Sequence, residues 1–200
     1  MKLQPDKDLR LLALVLALIG CEMKREASPA PTRQQPSCGD EIIGDEGIGE
    51  LRIGATVESV RQKCNVVRGT TVIGTEGMLA RKLTIGFSRD SVEAEIVKGR
   101  VWRIAVLSPH FRTSDSLGVG TPLARLLQLK NPRGMTGEGR LFVASAEHCG
   151  ISFRLADASP AALRGDLGRA GLARLPQSTV VSEVLVFGCH LTSGPSTGEG

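Results

Sequence analysis

Apolar and polar residues alternate along the chain between positions 92 and 106, on both sides of the segment Lys98-Gly99-Arg100. A period of two predicts strands with one buried face, and a three-residue connection containing glycine predicts a hairpin. In the matching register Glu95 lies opposite Arg103 and Ile96 lies opposite Trp102. We therefore expect Trp102 to be buried in the core.

Similar patterns predict the other elements. Strands are expected at residues 82–87, 141–144, 150–155 and 180–189. Residues 53–64 have apolar side chains at helical spacing, with Thr56 placed to cap the helix. Residues 119–126 repeat this pattern, with Thr121 as the cap and Pro122 at the first helical position. A weaker helix is predicted within residues 160–174.

The order of one helix and three strands thus occurs twice, in a first unit at residues 39–112 and a second unit at residues 113–191. A short amphipathic helix beside an antiparallel meander can bury its apolar side only on the sheet. The predicted fold class is therefore α+β, with helices packed on one face of an antiparallel sheet. Residues 192–200 are rich in Ser, Gly and Pro and predict a disordered tail.

The N-terminal segment carries a different signal. Residues 11–20 are apolar or small and follow a head with three cations, which predicts a signal peptide at residues 1–20 because the run is too short to span a bilayer. The residues Leu18-Ile19-Gly20-Cys21 resemble a bacterial lipobox. That resemblance implies a lipid on Cys21, and Glu22 in the next position implies the outer membrane. Residues 21–38 contain three prolines and predict a disordered tether.

Four other cysteines remain in this exported chain, which predicts two disulfides. Aligning Phe153 with Leu185 and Ile151 with Phe187 across two antiparallel strands places Cys149 opposite Cys189. By elimination Cys38 pairs with Cys64. The same register sets His148 opposite His190 on the outer face, where we expect both to be solvated and to bind no metal.

The composition excludes several functions. The net charge is only +4, so no nucleic-acid partner is expected. No motif for a nucleotide, a cofactor or a hydrolytic metal is present, and we expect no cofactor and no catalysis. Two alternatives stay open: a small envelope hydrolase using His110 and Asp115, and a metal-binding lipoprotein using His148 and His190. Phe111 and Arg112 lie in the loop between the two units and are candidate contacts for a partner.

A weak family resemblance complements these patterns. The segment Leu51-Arg52-Ile53-Gly54-Ala55-Thr56-Val57 resembles the helix entry of small lipoproteins of the barrel-assembly machinery and of tandem β-lactamase inhibitor proteins. Residues 112–120 resemble a T-x-D-G-I-G-V-G junction, with Ser116 in place of a glycine. This implies a periplasm-facing protein-binding module. Those inhibitors bind through a tyrosine-rich surface, and this chain has no Tyr, so no binding residue is transferred.

Overall fold

Twelve strands and three short helices form the regular structure of residues 37–73, 79–137, 139–156 and 167–189, which the computed structural model describes. The strands are β1 (Ile42–Gly44), β2 (Gly47–Ile48), β3 (Leu51–Arg52), β4 (Asn65–Ile73), β5 (Leu79–Gly86), β6 (Ser91–Val97), β7 (Arg100–Val106), β8 (Arg112–Thr113), β9 (Arg133–Gly137), β10 (Arg140–Ser145), β11 (His148–Leu155) and β12 (Val181–Val186). The helices are α1 (Val57–Lys63), α2 (Leu123–Leu126) and α3 (Arg169–Leu172).

The larger sheet is antiparallel and has the strand order β4-β5-β6-β7-β12-β11-β10-β9. A smaller sheet has the order β3-β2-β1-β8, and β1 runs parallel to β8. The core lies on one face of the larger sheet, where Leu83, Ile104 and Phe153 are fully buried. Ile43 and Ile48 of the smaller sheet belong to the same core, so the small sheet helps to close it.

The predicted α+β class is wrong. The six predicted strands appear as β5, β6, β7, β10, β11 and β12, but β4, β9 and the whole smaller sheet were not predicted. The helices have only seven, four and four residues. Helices of one or two turns cannot cover an eight-stranded sheet, so they add a few core side chains such as Val60 and Leu126 to a fold that is mostly β.

The two halves of the larger sheet share one backbone frame. In each half a helix is followed by four strands that pair in chain order, β4 to β7 and then β9 to β12. The backbone bonds at the helix entry also match: Gly54 N donates to Val101 O and Val101 N to Ala55 O, while Gly120 N donates to Val181 O and Val181 N to Thr121 O. Gly54 and Gly120 both have positive φ, at 80° and 87°.

The halves meet where β7 pairs with β12, and this pairing is symmetric. Val184 lies opposite Val106, Leu185 opposite Ala105, and Val186 opposite Ile104. Exchanging each residue of β7 with its equivalent in β12 gives the same three pairs of positions. Each strand also carries one unpaired bulge residue at the equivalent position, Trp102 in β7 and Ser182 in β12. Positions in the regularly paired parts of these strands therefore have counterparts in the other half.

The predicted position of Trp102 is wrong because of this bulge. The hairpin loop has two residues, Lys98 and Gly99, both with positive φ. Ile96 consequently lies opposite Val101, while Glu95 still pairs with Arg103 as predicted. The extra residue between them is Trp102, which points away from the core and is 44% exposed.

Both predicted disulfides are present, Cys38–Cys64 and Cys149–Cys189. The register used to predict the second was wrong by one residue, because Phe153 lies opposite Val184 and not opposite Leu185. The bridge forms nevertheless, since Gly188 has φ of 81° and turns the chain just before Cys189. Cys38 is buried, so the last residue of the predicted tether belongs to the fold.

The remaining predictions for the ends of the chain lie outside the described residues. These are the signal peptide at residues 1–20, Cys21 and the tether up to residue 36, His190, and the tail at residues 192–200. Within the described ranges, no helix has the length and apolar character needed to cross a bilayer.

Candidate functional site

The uncovered face of the larger sheet carries an apolar groove on its second half. Phe142 and Leu185 form its floor, and Trp102, Met135 and Phe187 form its walls. The groove encloses about 400 Å³. The floor residues are almost buried, whereas Trp102 and Met135 remain 44% and 38% exposed. Clustered exposed apolar side chains of this kind mark interaction surfaces in soluble proteins.

The counterpart positions in the first half do not form such a groove. The strand registers relate Phe142 to Lys82 and Met135 to Thr70, since each pair occupies the same place in its meander. Trp102 corresponds to Ser182, the other bulge residue. The shared frame therefore does not require apolar side chains at these outward positions, because the fold tolerates a lysine, a threonine and a serine there.

Ion pairs lie between the two regions. Arg103 Nη2 is 2.6 Å from Glu95 Oε2, and Arg154 Nη1 is 2.9 Å from Glu183 Oε2. The two pairs occupy equivalent positions with the signs exchanged, since Glu95 corresponds to Arg154. Because both pairs neutralise themselves, the centre of the open face is polar without a net charge.

Two exposed arginines lie on the strands beside the apolar groove. Arg133 and Arg140 lie on β9 and β10, at positions that share the outward side with Met135 and Phe142. Both arginines are exposed, and neither forms an ion pair within the described ranges. The groove thus combines an apolar floor with two cations at its border.

Phe111 and Arg112, the predicted partner contacts, serve the fold instead. Phe111 is fully buried and its ring packs edge-on against Phe87 at 5.2 Å, so no partner can reach it. Arg112 donates through Nε to Pro109 O and through Nη1 to Thr121 Oγ1. Thr121 in turn accepts from Gly118 N, so its hydroxyl holds the junction loop and does not cap α2 as predicted.

The alternative hydrolase site does not assemble, because His110 does not contact Asp115. His110 Nε2 lies 2.5 Å from Glu41 Oε2, and the hydroxyl of Ser88 donates to the other oxygen of Glu41. The Ser88 hydroxyl bond, with help from His110, holds the pKa of Glu41 below its usual range. Activation of a serine requires a direct bond between serine and histidine, and here the carboxylate stands between them.

Asp115 instead contacts His148. His148 Nε2 is 3.2 Å from Asp115 Oδ2, and Thr113 Oγ1 donates to Asp115 Oδ1 at 2.6 Å. Burial alone would raise the pKa of Asp115, but the bonds from Thr113 and His148 outweigh it and lower that pKa. The prediction of a solvated His148 is wrong, because its side chain is only 14% exposed and lies between Asp115 and Asp45.

Comparison with known proteins supports the fold alone. No family model matches the chain, and no curated protein matches it. Among solved structures it is similar to the uncharacterized protein yfeY from Escherichia coli, with a TM-score of 0.52 and 16% sequence identity. The match covers 72% of this chain and 98% of that one. The likeness extends the architecture to a second protein and carries no activity with it.

The sequence-based search missed the apolar groove entirely. Its residues come from five strands, and Trp102 reaches it only through the bulge in β7. Met135 lies in β9, a strand with two glycines that was not predicted. The single Trp of the chain could have indicated a binding surface, but the alternation of apolar and polar residues placed it on the wrong face of the sheet.

Proposed function

We propose that the protein is a non-catalytic binding module of the bacterial envelope that holds a partner protein in the apolar groove. The observation that carries this proposal is the difference between the two halves. Equivalent outward positions are apolar around Trp102 and polar around Ser182, although the backbone frame is the same. Exposing a Trp and a Met gives the folded chain no stability, so we infer that a bound partner covers them.

The partner should present an aromatic or aliphatic side chain with acidic residues beside it. The floor formed by Phe142 and Leu185 suits one or two apolar side chains. The exposed Arg133 and Arg140 would attract carboxylates at the border, which favours correct orientation and fast association. The groove is too small to act alone as a full interface, so the contact would extend over the neighbouring ion pairs.

The location in the envelope is part of the same proposal. It rests on the lipobox-like residues Leu18 to Cys21, and both disulfides fit an oxidising compartment. A lipid on Cys21 would hold the module at a membrane, on the periplasmic side of the outer membrane by the resemblance. Labelling with palmitate should then occur in the wild type and vanish in Cys21→Ser. Equal labelling of both proteins would end the lipoprotein proposal.

Site-specific photocrosslinking tests the binding surface in intact cells. A photoreactive amino acid at Met135 should crosslink a defined protein, and the same residue at Thr70, the counterpart position, should not. The crosslink should disappear when Trp102→Ser is introduced. Equal crosslinking from both positions, or a crosslink that is insensitive to Trp102→Ser, would contradict binding in the apolar groove.

A further inference from the structure

The two disulfides lie in different surroundings. Cys38 and Cys64 are each 1% exposed and belong to the core. Cys149, at the start of β11, is exposed, and Cys189, just past β12, is half-buried. Only the second bridge is therefore open to a reductant without unfolding of the core.

A carboxylate lies against the exposed bridge. Asp45 Oδ2 is 3.8 Å from Cys149 Sγ, and one ligand atom from each of Asp45, Cys149 and Cys189 lies within 4.8 Å of the others. The second oxygen, Asp45 Oδ1, is buried and has no hydrogen-bond partner in the described part of the chain. A buried carboxylate oxygen without a hydrogen-bond donor is costly, so Asp45 Oδ1 has lone pairs available for a cation.

A histidine stands beside the carboxylate in an orientation that metal sites use. His148 Nδ1 is 3.9 Å from Asp45 Oδ1, and His148 Nε2 is 3.2 Å from Asp115 Oδ2. Metal-bound histidines usually give their second nitrogen to a carboxylate, which fixes the ring. Thr113 holds Asp115 in turn, so the support for the ring is already built. Although neighbours on a strand point to opposite faces, His148 and Cys149 both approach Asp45 here.

We propose that Cys149, Cys189 and Asp45 form a zinc site when the disulfide between them is reduced. His148, which lies outside the 4.8 Å cluster but has Nδ1 3.9 Å from Asp45 Oδ1, would turn inward as the fourth donor. Two sulfurs, one nitrogen and one oxygen make a donor set that suits tetrahedral Zn²⁺. A dithiol of the thioredoxin type would give two electrons and two protons to the bridge and become a disulfide itself. The S–S bond breaks to two thiols, and binding of one Zn²⁺ then releases both thiol protons.

The test uses the full-length protein, treated with a phosphine reductant and then titrated with Co²⁺ as a spectroscopic substitute for Zn²⁺. Alkylation and mass spectrometry should show that Cys149 and Cys189 are reduced first, while the bridge between Cys38 and Cys64 stays closed. Thiolate-to-cobalt absorption should then appear with one ion per chain, and Zn²⁺ should displace the cobalt. The oxidised protein should show no such absorption.

Two variants distinguish this site from binding to loose thiols. Asp45→Asn should weaken the reduced protein's affinity for Co²⁺ by about tenfold or more, whereas Asp40→Asn, an exposed control nearby, should not. Equal affinity in Asp45→Asn would overturn the proposal, because an unstructured dithiol would bind just as well. No uptake by the reduced, folded protein, as verified by circular dichroism, would overturn it too.

Discussion

The two halves of the larger sheet have the same backbone and different outward surfaces. Their helix entries, their bulges and their central pairing match residue for residue. On the open face, however, Phe142 and Met135 of the second half and Trp102 of β7 line the groove. The equivalent positions carry Lys82 and Thr70 in the first half and Ser182 in β12. Side chains that differ on the same backbone frame are not required by folding, and this difference is the basis of the proposed binding surface.

The buried face shows the opposite behaviour, because there the two halves compensate each other. Ala94 lies opposite Ile104 in the first half, and the equivalent pair in the second is Phe153 and Val184. All four are fully buried. A small residue in one half and a large one in the other imply a core packed as one unit across both halves.

The largest loss of stability is expected when a large side chain is removed from this core. Phe153→Ala copies the residue at the equivalent position, Ala94, and should lower the free energy of unfolding by about 3–5 kcal/mol, because the rest of the core cannot collapse into the space. Chemical denaturation followed by circular dichroism measures it. A decrease in the free energy of unfolding below about 1 kcal/mol would contradict a core shared by both halves, because the second half would then have filled the space by itself.

The next effect concerns the apolar groove and requires the partner. Trp102→Ser copies Ser182 and should weaken partner binding by about 2 kcal/mol, the loss expected for a central aromatic contact. Its stability should change little, because Trp102 is 44% exposed. The control is Leu107→Ser, an exposed residue on the first half, which should leave binding unchanged. Calorimetry with the partner identified by crosslinking measures the affinity of each variant. An equal loss of affinity in both variants would contradict a binding surface confined to the apolar groove.

A smaller effect is expected from the paired charges. Arg154→Glu places two carboxylates together at Glu183 and should cost about 1 kcal/mol of stability, since the pair is partly buried. Adding Glu183→Arg reproduces the orientation found in the first half and should restore most of the loss. Thermal unfolding of both variants measures this. If the double variant is no better than the single one, the two positions are not interchangeable.

The sequence predicted the positions of the strands more accurately than it predicted which side chains face the core. The strands with one buried side were predicted because alternation marks them, but β4 is exposed along most of both sides and shows no alternation. Trp102 was misplaced because the two-residue turn sets Val101 opposite Ile96 and leaves Trp102 as an unpaired bulge residue, while the register from Arg103 onward is as predicted. The predicted Cys149–Cys189 pairing is correct although the predicted register was wrong by one residue, because the turn at Gly188 brings Cys189 back to Cys149.

The candidate site was beyond prediction for a related reason. Phe111 carried the strongest local signal for a partner contact, yet its ring completes the core. The apolar groove combines residues that are far apart in sequence, and only the pairing of β7 with β12 brings Trp102 beside Phe187. Local patterns do not encode which strands become neighbours.

The smallest change in stability is expected from a substitution of Ser116, in the loop that leads into the second half. Ser116 has φ of 67°, a left-handed conformation that costs a serine about 1 kcal/mol, whereas the entry loop of the first half places Gly49 at φ of 54°. Ser116→Gly should relieve this strain but also increase the entropy of the unfolded chain, so a net gain of about 0.5 kcal/mol is expected. The hydrogen bonds of Thr113 to Asp115 and Leu117 should remain, since they do not involve the Ser116 side chain. The reverse exchange, Gly49→Ser, should be strongly destabilising, because a Cβ there would lie 2.1 Å from Cys38 O. Thermal unfolding of the two variants measures both changes, and a loss of stability in Ser116→Gly would show that the serine side chain itself supports the junction.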